Sequence, residues 1–107
     1  MIEGLYYTNK NGKQVPVQMT RHALSRFLQR YQIAYGKRVV DCDIGPTLCK
    51  LFNMADRVTK LGPKGRSRMK RHGKDTLYFR REKLTFVVQN SKIVTVEISA
   101  KGERWKN

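Results

Sequence analysis

Apolar residues recur along this chain at two different periods, and the change from one to the other divides it. After Thr20, the residues Ala23, Leu24, Phe27, Leu28 and Tyr31 fall at helical spacing, the signature of one buried stripe on a 3.6-residue turn. Thr20 has the side chain of an N-cap, and Gly36 closes the run, so the spacing predicts a helix from about Arg21 to Tyr35. A second stripe, Leu48, Leu51, Phe52, Ala55 and Val58, predicts a helix that starts near Pro46 and runs to about Lys60, where Gly62 and Pro63 stop it. Proline is well placed as a first helical residue because its missing N–H has no partner to lose there.

From about Lys60 to Asp75 there is no apolar period, and this stretch reads as a flexible loop. From Thr76 the period becomes two. Thr76 to Arg81, Leu84 to Gln89 and Lys92 to Ser99 are β-rich runs joined by Glu82-Lys83 and Asn90-Ser91, links short enough for an antiparallel meander. Leu84, Phe86 and Val88 are expected to face the helices with Val94, Val96 and Ile98. The other face is then expected to be polar and open, carrying Thr85, Val87, Gln89, Ile93, Thr95 and Glu97, with Tyr78 and Arg80 if Leu77 and Phe79 point inward. Near the start, Leu5 to Thr8 and Val15 to Met19 flank Asn9-Lys10-Asn11-Gly12-Lys13, which contains the Asn-Gly pair of tight turns. The expected fold is α+β: one domain over residues 1–107, with two N-terminal helices on one face of a C-terminal antiparallel meander and an N-terminal hairpin.

Charge gives this small domain a partner class. Lys and Arg supply 23 of its 107 residues against 8 Asp plus Glu, a formal net charge of +15. Such an excess repels itself in the compact state and suits a surface that meets a polyanion. The field centres on the basic loop and the strand after it, where Arg66, Arg68, Lys70, Arg71, Lys74, Arg80 and Arg81 are the expected phosphate contacts. Gly62, Pro63, Gly65 and Gly73 break any amphipathic helix there, which argues against a membrane surface. The longest strongly apolar stretch, Leu84 to Val88, falls far short of a bilayer span of about 20 residues, and no basic-then-apolar leader opens the chain. Cys42 and Cys49 match neither a zinc knuckle nor a redox pair. They read as reduced, partly buried thiols of a cytoplasmic protein, Cys49 on a helix face, with no metal or cofactor expected.

One constellation could carry chemistry. His22, Arg26 and Arg30 stand at successive i, i+4 positions, a single stripe of the first helix beside its core face. Imidazole titrates near neutrality and can move a proton, whereas guanidinium stays charged and presents a fork to phosphate. Without further support the stripe also fits a plain helix flank.

The His22-Ala23-x-x-Arg26 helix, a second helix and a terminal meander whose last strand reads Ile93-Val94-Thr95-Val96 resemble a family of small bacterial and phage proteins. That family is related to the RelE-like and contact-dependent-inhibition toxin ribonucleases, the barnase, EndoU, colicin and RelE fold group. The resemblance covers the order of elements over about Thr20 to Ser99. It implies helices on one sheet face, RNA on the other, and metal-independent attack of a ribose 2′-hydroxyl on the adjacent phosphate. His22, Arg26 and Thr95 match the helix histidine, the helix arginine and the strand threonine, and would be the catalytic set. Apart from the resemblance, Arg30 on the same helix stripe offers a phosphate contact, and Tyr78 could stack on a base or simply pack within the sheet; an acidic antitoxin or immunity protein would be a further partner.

Three functions therefore compete: a toxin-like ribonuclease centred on His22, a non-catalytic nucleic-acid-binding accessory protein of a phage or bacterium, and an adaptor for an acidic partner. RNA is expected ahead of DNA. Charge serves the first two equally, and only His22, Arg26 and Thr95 favour cleavage. That reading requires His22 and Thr95 to open on one cleft, within reach of one phosphate, with Arg26 or Arg80 beside them. Placement on opposite sides of the domain would leave the binding protein.

Overall fold

Asn9 makes the first turn. Its Oδ1 accepts hydrogen bonds from the backbone N–H groups of Asn11 (2.9 Å) and Lys13 (3.0 Å), and its carbonyl accepts from Gly12 at 2.9 Å. Gly12 takes the left-handed φ of +79°, which costs a residue without Cβ nothing. Strands β1 (Tyr6–Thr8) and β2 (Gln14–Pro16) thereby pair antiparallel, Tyr7 opposite Val15. The computed structural model describes residues 2–58 and 75–99; over these the chain is α+β, with two helices and two sheets, one of two strands and one of five.

The second arm of the hairpin is shorter than its sequence predicts, because residues Gln18–Met19 (β3) leave it for the larger sheet. There they run parallel to the start of β7 (Lys92–Ile98), Gln18 opposite Lys92 and Met19 opposite Ile93. Thr20 follows at once and does two things. Its hydroxyl donates to the Ile93 carbonyl at 3.0 Å and accepts from the Ala23 N–H at 3.1 Å, so the N-cap of α1 (Arg21–Tyr35) is tied to the last strand. Such a cap is worth about 1 kcal/mol. Gly36, at φ +70°, ends the helix, its N–H returning to the Gln32 carbonyl.

The second helix, α2, spans Ile44–Asn53 after a short 3-10 turn at Asp41–Asp43. It stops well before Lys60 because Asn53 is occupied elsewhere. Its Nδ2 donates to the Gly4 carbonyl (2.8 Å), and its Oδ1 accepts from the Tyr6 N–H (3.0 Å). The chain then turns, and Asp56–Arg57 forms an edge strand, β4, beside β5 (Leu77–Arg81). Ala55 and Val58 therefore belong to no helix, although they fit the stripe.

Strand β5 pairs antiparallel with β6 (Leu84–Gln89), and β6 with β7, giving the sheet order β3-β7-β6-β5-β4. Both links are tight: Glu82 sits at φ +53°, Asn90 and Ser91 at +50° and +59°, the left-handed angles of two-residue hairpin turns. Phe86 anchors the core. Phe27 of α1 stacks on it at 6.3 Å between centroids, and Phe52 of α2 meets it edge-on at 5.4 Å. Phe79, Leu84, Val88, Ile93 and Val96 of the sheet join this cluster, with Leu5, Val17, Ala23 and Leu48.

Strand β7 departs from its expected alternation. Val87 pairs with Thr95 but Val88 pairs with Ile93, so Val94 is an extra residue, a β-bulge. A bulge shifts the inside-outside pattern by one residue. Ile93 enters the core that Val94 was expected to fill, and Val94 packs on the reverse face with Val58, Tyr78 and Val87. That reverse face is not the open polar platform predicted. Thr85 and Val87 are wholly buried, Tyr78 is 3% exposed, and Thr85 shares a 2.8 Å hydrogen bond with Ser99. Val58, held by its N–H to the Tyr78 carbonyl at 2.8 Å, accounts for part of the cover. No helix among the described residues is long and apolar enough to cross a membrane.

Candidate nucleic-acid interface

Helix α1 contains three arginines, a histidine and no acidic residue, and Lys37 and Arg38 follow its cap. Its inner side is set by Ala23 and Phe27, both fully buried, with Leu24, Leu28, Tyr31, Ala34 and Tyr35 packed beside them. At 3.6 residues per turn, His22, Ser25 and Gln29 then fall on the side turned away from the sheet, and all three are exposed. Arg26 and Arg30 sit half-buried on the flank between. Arg26 donates to the Gln29 side chain at 3.2 Å. Among the described residues the arginines of α1 are without ion-pair partners, the composition expected of a phosphate contact.

The structure does not bring the proposed catalytic set together. Thr95 lies opposite Val87, whose side chain belongs to the cluster on the reverse face of the sheet, whereas His22 points to solvent from the far side of α1. The helix start and the strand are tied by Thr20, but the two side chains leave from different faces. Arg26 and Arg30 stay with His22. Tyr78, expected to stack on a base, is buried and offers no ring face. Arg80 and Arg81 are half-buried in β5; the Arg80 Nε donates to the Glu82 carbonyl at 2.9 Å and so serves the turn. Arg66, Arg68, Lys70, Arg71 and Lys74, with His72, lie outside the described residues.

Sequence reading overlooked Lys37 and Arg38, although an acid-free run from Arg21 to Arg38 was visible. Of the thiols, Cys42 is exposed rather than partly buried. Cys49 is half-buried on α2, its Sγ 3.3 Å from the Glu3 carbonyl, and burial pushes its thiol up.

The far end of α1 is fixed to the sheet by a polar knot. The Tyr35 hydroxyl donates to Glu82 (2.9 Å), and the Lys83 Nζ lies 5.4 Å from the centre of the Tyr35 ring while donating to the Ala34 carbonyl at 3.1 Å. Burial first, and the Glu82 hydrogen bond second, push the Tyr35 phenol up to about 12. The bond requires the protonated phenol, so its stabilisation is complete below the ordinary value of 10.0 and is lost as pH rises toward about 12. A tyrosinate absorbance step near pH 12 is expected in the native protein and should vanish in Tyr35→Phe; superimposable titrations would show the knot to be open in solution.

Comparison with protein-family models, curated proteins and solved structures finds no match. The likeness to toxin ribonucleases rests on the sequence residues alone.

Proposed function

We propose that this protein binds nucleic acid, RNA ahead of DNA, and does not cut it, α1 being its main contact element. The observation that carries this reading is the run of cations on α1 without ion-pair partners among the described residues. A charge left uncompensated on a rigid helix is free to neutralise phosphate, and phosphate contacts dominate affinity in such complexes. Lys60, Lys64, Arg66, Arg68, Lys70, Arg71 and Lys74 add charge of the same sign with no acidic residue among them. The different faces taken by His22 and Thr95 favour binding over cleavage in this reading.

The test is incubation with labelled single-stranded RNA in EDTA, read for both retention and integrity. The strand is expected to be bound and intact. The double variant Arg26→Ser, Arg30→Ser should keep its thermal midpoint and lower the slope of log affinity against log salt by about 1.4, roughly 0.7 for each phosphate contact on a single strand. Cleavage by the native protein but not by His22→Ala would restore the ribonuclease. An unchanged slope in the arginine variant would place the footprint off α1.

A further inference from the structure

Between the end of α1 and the start of α2 lies a cleft of about 270 Å³ whose walls come from four parts of the chain. Tyr31 lines it from α1, Lys37, Arg38 and Val40 from the connection, Asp43 from the end of the 3-10 turn, and Thr47 from the first turn of α2. The aromatic wall is rigid. Tyr31 is held between Phe27 and Tyr35, at 5.8 and 4.6 Å between ring centroids, and Tyr35 is itself fastened to Glu82. Among the described residues neither Lys37 nor Arg38 forms an ion pair, although Asp43 lines the same cleft.

This mixture of groups selects among ligands. A free inorganic phosphate would suit the two cations but be repelled by the Asp43 carboxylate, and an amine or a basic peptide would suit Asp43 and be repelled by the cations. A nucleotide carries both requirements at separate ends: an anionic phosphate, and a sugar and base that offer hydrogen-bond donors and a flat ring. We propose that the cleft receives one nucleotide of a single-stranded RNA, with phosphate on Lys37 and Arg38, base against Tyr31 and Val40, and the ribose 2′-hydroxyl donating to Asp43 beside the Thr47 hydroxyl. The 2′-hydroxyl is the group by which a protein tells RNA from DNA. This inference rests on the nucleic-acid-binding reading and adds to it the origin of the RNA preference.

The experiment measures affinity for an all-adenine RNA strand and for the all-adenine DNA strand of equal length, in the native protein and in three variants. Asp43→Ala removes the acceptor, Asp41→Ala makes the same change in charge outside the cleft, and Thr47→Val removes the hydroxyl while keeping the shape. The native protein and Asp41→Ala should prefer RNA. Asp43→Ala should lose about tenfold of that preference, the worth of one hydrogen bond to a charged group, and Thr47→Val should lower it in the same direction. Equal affinity of the native protein for both strands, or an RNA to DNA ratio unmoved by Asp43→Ala, would overturn the subsite while leaving nucleic-acid binding intact. Failure to bind either strand would overturn the underlying reading and the subsite with it.

Discussion

RNA affinity is expected to fall by roughly two and a half orders of magnitude between about 50 and 200 mM salt if six phosphates of a single strand are neutralised, and by about three on a duplex. The cause is entropic: every phosphate that meets a protein cation releases a condensed counterion, and added salt makes that release less favourable. The described part of the chain already offers five such cations from Arg21 to Arg38 without an intervening acid, and residues 59–74 supply more. An equilibrium titration at four or five salt concentrations reads the slope directly. A change of less than about tenfold over that range would mean fewer than three contacts on a single strand, too few for a polyanion-binding surface.

Replacement of Phe86 by alanine is expected to cost about 3–5 kcal/mol, a large part of the roughly 5–15 kcal/mol by which a domain exceeds its unfolded state. Phe86 is fully buried, and it is the ring on which Phe27 of α1 and Phe52 of α2 both rest. A cavity there loosens both helices at once. The thermal midpoint should drop by roughly 15 °C or more, while Phe86→Leu, which refills most of the space, should fall much less. A loss of only a few degrees in the alanine variant would show that the two helices do not depend on this shared contact.

What the sequence made legible was local. The bounds of α1 follow from Thr20, Gly36 and an uninterrupted stripe, and the tight links at Glu82-Lys83 and Asn90-Ser91 place β5, β6 and β7. The departures at Gln18–Met19, Asn53 and Val58 come from pairings distant in sequence, and the one at Val94 from a bulge within a hairpin. Val58 fits a helical stripe and is indeed buried, yet burial alone does not say whether a helix or a strand carries it; the free edge of β5, held by residues much later in the chain, decided for a strand. Gln18 and Met19 look like a continued hairpin arm until the edge of β7 is there to receive them. The bulge at Val94 has no glycine or turn residue to announce it, and one extra residue exchanged the places of Ile93 and Val94. The site suffered from the same cause. Its cations could be listed from the sequence, but which ones share a surface depended on where α1 and the sheet put their faces.

The bond from Thr20 to the Ile93 carbonyl spans 73 residues, and β3 pairs with the same distant strand. Contacts that close so long a loop form late, since their entropic cost precedes their reward. During synthesis the first helix emerges with an apolar stripe but without the strand that seats it. Its cap and the strand before it cannot reach their partners until the chain has been made as far as Ile93, so this end of the domain is seated only after most of the sequence exists.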